Sequence, residues 1–273
     1  MVSFGTPWAP MKMKLPFLNH TAQRELRKPA PTTIPKLDTL QVAMQYKGAR
    51  MGGDFFDFIE TEPSRLIFLM MDIAGKRDQA MEIAAAVQDK FRETVPVLFS
   101  GDGVNELQAA ADLSIVINRT VLEAAGGVRC APAFLASFDE TLGTLTYVNS
   151  GHTSGLVRDA EGTTELKATG VPLGLFTHAV TDAQLSVLQP GATLLLASKG
   201  LIESKKGFQK EYGFKRLASV VREGQFSTAA ELCAQVLGDV EKYTRNADPE
   251  NDVTTVALMR TAAVRSAVAV GVR

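Results

Sequence analysis

The sequence predicts a layered α+β domain, and three observations carry that prediction. Two long Ala-rich stretches, 80–99 and 104–125, have helical character and are separated by a Gly-Asp-Gly break. The region 132–159 then turns to short strand-like segments joined by tight turns, as in a meander. Two short apolar runs, 65–73 and 192–198, have the length of strands covered on both faces. Hairpin strands combined with long helices call for helices packed on a sheet.

Along the chain, residues 1–20 read as irregular and HTAQRELRK, 20–28, as a short helix. Pro29, Pro31 and Pro35 then impose an extended connector, because proline disfavours helix at itself and at the residue before it. LQVAMQY, 40–46, alternates apolar and polar residues like a half-buried strand, and RLIFLMMDI, 65–73, is apolar throughout. The first long helix, 80–99, carries Pro96 near its end. The second, 104–125, is stopped by Gly126 and Gly127. PAFLASFD (132–139), TLTYVNS (144–150) and TSGLVRD (153–159) read as strands separated by the turns ETLG and AEG. ATLLLAS, 192–198, is a further buried strand. STAAELCAQVLGDVEKYT, 227–244, is a helix with Ser227 or Thr228 as N-cap and Glu231 placed for a capping box. VTTVALMR, 253–260, is a closing strand, and the last residues have no clear pattern.

Composition narrows the function classes. Of 273 residues, 45% are apolar and 22% charged, which is globular composition rather than disorder. A net charge of −1 provides no long-range attraction to nucleic acid or to an acidic membrane. Cys130 and Cys233 match no metal-binding spacing and read as buried, reduced thiols. Pro7, Pro10 and Pro16 interrupt the N-terminus, which is a poor signal peptide, and no apolar run reaches membrane-spanning length. The expected location is therefore cytoplasmic.

The chemistry-bearing residues lie in acidic turns. Asp54 follows Gly52 and Gly53, which let the backbone turn tightly and approach a ligand, although an isolated Gly-Gly-Asp also suits a plain hairpin. Asp72 ends the apolar run 65–73, where a charge is costly unless it is paired or binds a cation, and where it would also suit a helix cap. Asn251 and Asp252 precede the closing strand in a turn-rich stretch. His152 reads as a structural hydrogen-bonding residue in a turn, and Lys76 and Arg77 as a basic helix start able to meet a phosphate or an acidic partner. Lys205, Lys206, Lys210 and Lys215 read as a solvated loop.

Six blocks, in order, resemble the sporulation stage II protein E-like branch of the PPM (protein phosphatase 2C) family. AQRELRKPAPTTIPKLDTLQVAMQYKGARMGGDFFDF resembles the opening block, and LMMDIAGK the Asp-x-Ser-Gly-Lys block with Ala74 at the serine. LTYVNSGHTSGLV resembles the Asn-Ala-Gly-His strand pair, and TGVPLGLF the Gly-x-Pro-Leu-Gly block. LLLASKGLIESKKGFQKEYGFKRL resembles the block that carries Thr-Asp-Gly, and NDVTTVALMR the closing Asp-Asp-x-Thr block. The resemblance spans residues 22–260 and implies a four-layer αββα sandwich of two antiparallel sheets flanked by helices. It divides the chain into an N-terminal extension (1–36), a phosphatase domain (37–261) and a tail (262–273).

The family hydrolyses phosphoserine or phosphothreonine with water activated by two close Mg²⁺ or Mn²⁺ ions, which hard oxygen ligands hold. Carried over position by position, Asp54 and Asp72 match the first two acids and the carbonyl of Ile73 the backbone ligand. The Thr-Asp-Gly aspartate is Lys199, and the first acid of the closing pair is Asn251. Asp252 keeps an acid in the second place, which is not the usual ligand. Two like unit charges ~4 Å apart repel by about 4 kcal/mol at an effective dielectric near 20. The resemblance therefore implies at most one well-bound Mg²⁺ or Mn²⁺ ion or none, with Lys199 paired to Asp72 or Asp54 or, with Lys76, contacting a phosphate or partner. It implies a signalling phosphatase of weak or lost activity, or a pseudophosphatase that binds its partner without hydrolysis. The expected partner is a phosphoprotein such as an anti-sigma-factor antagonist, not nucleic acid or membrane, and a dimer is compatible with the sequence.

Overall fold

In the computed structural model, which describes residues 26–49, 53–178, 181–208 and 210–261, two five-stranded antiparallel sheets stack face to face with helices on both outer faces. The chain opens with β1 (Leu40–Lys47), the hairpin β2 (Asp54–Thr61) and β3 (Arg65–Asp72), then α1 (Arg77–Phe99) and α2 (Glu106–Ala125). It continues through β4 (Ala133–Asp139), β5 (Thr144–Ser150), β6 (Gly155–Arg158), β7 (Thr163–Leu166), β8 (Gln184–Val187) and β9 (Thr193–Ala197). The short α3 (Lys199–Ile202), α4 (Phe214–Glu223), α5 (Ala229–Thr244) and β10 (Val253–Arg260) complete it. One sheet has the order β1-β10-β9-β6-β7 and the other β2-β3-β4-β5-β8. Among the described residues, no helix is long and apolar enough to cross a membrane.

The period-2 rule explains how one apolar strand serves two cores. Ile67, Leu69 and Met71 of β3 pack against Val87 and Phe91 of α1 and Leu113 and Ile117 of α2. Their neighbours Leu66, Phe68 and Met70 face the other way, into the space between the sheets, where Phe134, Leu194, Leu196, Val256 and Leu258 meet them. A third core joins β9 and β10 to α4 and α5 through Leu195, Ala257, Leu217, Leu232 and Val236. The layers therefore run α1–α2, sheet, sheet, α4–α5, the four-layer αββα sandwich that the resemblance implies.

Local chemistry fixes the helix ends. Asn105 caps α2 by accepting from the Gln108 amide at 3.2 Å, and Gly126 ends it in the left-handed region at φ 64°. Thr228 caps α5, its Oγ1 accepting from the Glu231 amide at 3.1 Å. The Glu231 carboxylate reaches back to the Ser227 amide at 2.7 Å, so both expected capping residues take part. Asp72 caps nothing: α1 begins after Lys76, which makes no side-chain cap.

The proline connector is strapped to the domain. Gln88 on α1 exchanges two hydrogen bonds with Ala30, at 2.6 and 3.0 Å. The Thr32 hydroxyl donates to the Phe56 carbonyl at 2.9 Å and to Asp57 at 3.0 Å. Asp57 is fully buried and is held by Arg92 at 2.7 and 3.1 Å. Residues 26–28 are not helical, and the remainder of the helix expected over 20–28 lies outside the described residues.

The elements that sequence pattern did not resolve are β2, β7, β8, α3 and α4. Lys215, expected in a loop, lies on α4, which buries only Leu217 and Val221. Cys233 is buried as expected, whereas Cys130 is only half-buried and lies on the wall of a cleft.

Candidate functional site

The site lies between the two sheets at one end of their strands. Asp54 begins β2 and Asp72 ends β3, and the antiparallel register sets them directly opposite one another. Both belong to the even-numbered face of the hairpin, which looks toward the second sheet. From that second sheet Thr254 of β10 donates its hydroxyl to Asp54 Oδ2 at 2.6 Å. Ser198, at the end of β9, bonds to the start of β10 through the Asp252 carbonyl (3.2 Å) and the Thr254 amide (3.0 Å).

Two glycines allow the backbones to close around this point. A Cβ on Gly53 would stand 2.1 Å from the Ile73 carbonyl oxygen, and one on Gly200 would stand 2.1 Å from the Asp252 carbonyl oxygen. Either side chain would force these backbones apart. The Ile73 amide completes the first contact by donating to the Gly53 carbonyl at 3.0 Å.

The resulting cleft, of about 220 Å³, is lined by Asp54, Asp72, Ile73, Cys130, Lys199 and Glu203, among others. Burial pushes the Asp54 carboxyl up to about 8; hydrogen bonds from Thr254 and Ser198 oppose this, and the charges of Asp72 and Asp252 add to it. Burial also raises Asp72, with Lys199 opposing and Asp252 and Glu203 reinforcing. Burial thus favours the neutral form of both facing carboxyls, and most of all that of Asp54.

The residues singled out in the sequence meet here with different fates. Asn251 is an exposed neighbour in the same cleft wall. Asp252 is buried and already committed: its Oδ1 accepts from the Ala49 amide at 2.7 Å and from Arg77 at 3.2 Å. Arg77 also donates to the Ala49 carbonyl at 3.1 Å and the Tyr46 hydroxyl at 3.0 Å. Arg77, at the start of α1 and partly exposed, therefore cross-links α1 to the turn before β10. Lys76 is exposed and does not line the cleft. His152 sits outside the cleft with Nδ1 3.2 Å from both the carbonyl and the hydroxyl of Thr153, a structural role in the turn as expected.

Lys199 corrects one expectation. It lines the cleft, but its ammonium pairs with Glu203 Oε1 at 3.3 Å, one helical turn on, and makes no ion pair within 4 Å of Asp54 or Asp72. It influences Asp72 only at longer range. Glu203 is the site residue that sequence reasoning missed. Its signal was the spacing of four from Lys199 in a segment that forms a helical turn.

Among the described residues, no group of three or more His, Cys, Asp or Glu side chains is arranged to hold a metal. Four acids line the cleft wall with the backbone of Ile73: Asp252 is engaged by Arg77 and Glu203 by Lys199, which leaves Asp54 and Asp72 without an ion pair among the described residues. Carboxylates completed by water are ligands that a hard cation such as Mg²⁺ accepts.

Comparison with known proteins bears on the family and the fold. The family model for stage II sporulation protein E (SpoIIE) matches residues 62–261. The chain is 21% identical over 250 residues to Protein IcfG of Synechocystis sp., covering 84% of this chain and 39% of that protein, so it spans well under half of that relative. The PP2C phosphatase domain, with a fragment of the regulatory domain, of SpoIIE from Bacillus subtilis superposes with a TM-score of 0.66 at 15% identity, over 82% of this chain and 64% of the other. RsbX, solved in complex with magnesium, superposes with a TM-score of 0.58 at 15% identity, over 84% of this chain and 99% of that one.

Proposed function

The chain belongs to the SpoIIE family and carries a PP2C-type phosphatase domain of bacterial signalling, and from that premise we propose that its cleft engages a phosphoseryl or phosphothreonyl protein while hydrolysing it weakly or not at all. One observation carries the reading: the cleft wall that carries Asp54 and Asp72 also carries Lys199 and Asn251, neither of which is an anionic ligand. Two unit charges ~4 Å apart repel by about 4 kcal/mol at an effective dielectric near 20, and a divalent ion beside the ammonium meets about twice that. Even the smaller figure is about a thousandfold in ion affinity. Asp54, Asp72 and the Ile73 carbonyl would hold one Mg²⁺ or Mn²⁺ ion at most, which would supply charge neutralisation for a phosphoryl group.

The chain's own residues support binding. Lys199, 61% exposed at its side chain, is a point charge free to swing from Glu203 to a phosphate oxygen. The Thr254 hydroxyl, donating to Asp54 Oδ2 at 2.6 Å, fixes the orientation of that carboxyl at the cleft. Cytoplasmic location, a phosphoprotein partner of the anti-sigma-factor-antagonist kind and a boundary near residue 37 belong to the same proposal.

The test compares the native chain with Lys199→Asp/Asn251→Asp, by Mn²⁺ titration calorimetry and by phosphate release from a phosphoserine peptide. The double variant is expected to gain about a thousandfold in Mn²⁺ affinity and to release phosphate faster than the native chain. A native chain that is fully active, and to which the double change adds nothing, would overturn the proposal.

A further inference from the structure

Beside the cleft lies a second pocket, of about 140 Å³, bounded by α5, the segment after α3 and the turn before β10. Gly200, Glu203 and Asn251 line both, so the two spaces share one wall. Its floor is apolar: Val240 and Val253 are buried and Leu237 is half-buried. Its rim is acidic, with Glu203, Glu211, Glu241, Asp248 and Glu250 against Lys47 and Lys205. Lys47 pairs with Glu241 at 3.7 Å and Glu203 with Lys199 at 3.3 Å, which leaves Glu211, Asp248 and Glu250 against Lys205.

Size, floor and charge each narrow the occupant. Small-molecule and cofactor sites run to about 300–1,000 Å³, so this pocket suits one side chain rather than a free ligand. An apolar floor under a charged rim suits a long aliphatic stem that ends in a charged head. Acids outnumber bases at the rim, which selects a cation and rejects a second carboxylate. The shared wall means that a segment lying across the cleft passes the mouth of the pocket. We infer that this pocket receives one arginine or lysine side chain of the protein bound at the cleft, close in sequence to its phosphorylated residue. The part that concerns the phosphorylated residue rests on the cleft reading above; the pocket's preference for a basic side chain does not.

The test therefore has two arms. In the first, Leu/Val methyl-labelled protein is titrated with N-acetyl-arginine amide and, separately, N-acetyl-norleucine amide. Saturable shifts at the methyls of Leu237, Val240 and Val253 are expected with the arginine compound alone. They weaken about tenfold in Glu211→Lys/Glu250→Lys, whose changed residues are exposed; tenfold corresponds to about 1.4 kcal/mol. Silent methyls, or an equal response to norleucine, overturn the pocket.

In the second arm, fluorescence polarisation compares phosphoserine peptides that carry arginine or citrulline two to four residues from the phosphoserine. The arginine peptide is expected to bind about tenfold tighter to the native chain and equally to the double variant. Peptides that bind without preference, with the methyls silent, sink the pocket and leave the cleft reading intact. Methyls that respond to arginine while neither peptide binds uphold the pocket and sink the cleft reading.

Discussion

Replacing Arg77 by alanine tests the electrostatics around the site most directly. Asp252 is 2% exposed and its Oδ1 has two donors, the Ala49 amide and Arg77. Losing one partner of a buried pair costs about 3–5 kcal/mol. The Arg77 side chain is itself 41% exposed, so water can enter its place and recover part of that cost. Its hydrogen bonds to the Ala49 carbonyl and the Tyr46 hydroxyl are lost as well, each worth about 1 kcal/mol net. We expect Arg77→Ala to cost about 2 kcal/mol, or roughly 4–8 °C in Tm for a domain of this size. Arg77→Lys keeps the charge but not the fork and should lose about half as much. The assay is urea denaturation followed by circular dichroism, run as a double-mutant cycle with Asp252→Asn. An amide still accepts from the Ala49 N–H but leaves no buried charge stranded. Arg77→Ala/Asp252→Asn should therefore recover at least about 1 kcal/mol relative to Arg77→Ala. An Arg77→Ala variant within about 0.5 kcal/mol of native, or strict additivity in the cycle, refutes the reasoning.

Two further perturbations probe the scaffold. His152 is buried, its Nε2 has no hydrogen-bond partner, and burial pushes it down to about 4. An unfolded histidine titrates near 6.5, so the unfolded chain takes up a proton that the folded chain refuses between these values. The stability is complete above about pH 6.5, falls as pH drops, and stops falling below about 4, a loss of about 3 kcal/mol. His152→Gln should flatten this window, and parallel urea-midpoint profiles for the two proteins between pH 7 and 4.5 would show the inference to be wrong. Gly200→Ala should cost about 1–3 kcal/mol, because its methyl would meet the Asp252 carbonyl oxygen at 2.1 Å. Gly238→Ala, in α5 with nothing near its added methyl, should instead gain up to about 1 kcal/mol; thermal denaturation that ranks the two the other way would contradict the packing.

The sequence was most legible where burial is simple. RLIFLMMD reads as a strand because both of its faces enter cores, and α5 is legible through its cap and its buried stripe. β2 was hidden because DFFDFIET mixes purposes. Asp54 faces the cleft, Asp57 answers Arg92 across 35 residues, and Phe55 and Phe58 point to different cores. Helix α4 was hidden because it is short and fully buries only Leu217 and Val221, with Phe214, Ala218 and Val220 only partly covered. At the site, Asp54 and Asp72 were legible as acids after glycines or at a strand end. The partnership of Arg77 with Asp252 was not, because it joins residues 175 apart that only the stacked sheets bring together. The engagement of Lys199 with Glu203 instead of an aspartate follows from a local helical turn that outcompetes longer reach.

The pairing of Asp54 with Asp72 gives the far end of their hairpin authority over the chemistry. Their alignment is transmitted through consecutive rungs to Thr61 opposite Arg65, with Glu62, Pro63 and Ser64 as the connecting turn. Side chains alternate along a strand, so shifting one partner by a single position would turn its acid from the cleft toward α1 and carry a phenylalanine into its place. Three surface residues about 24 Å away, at roughly 3.4 Å per residue, thus decide whether the two acids meet.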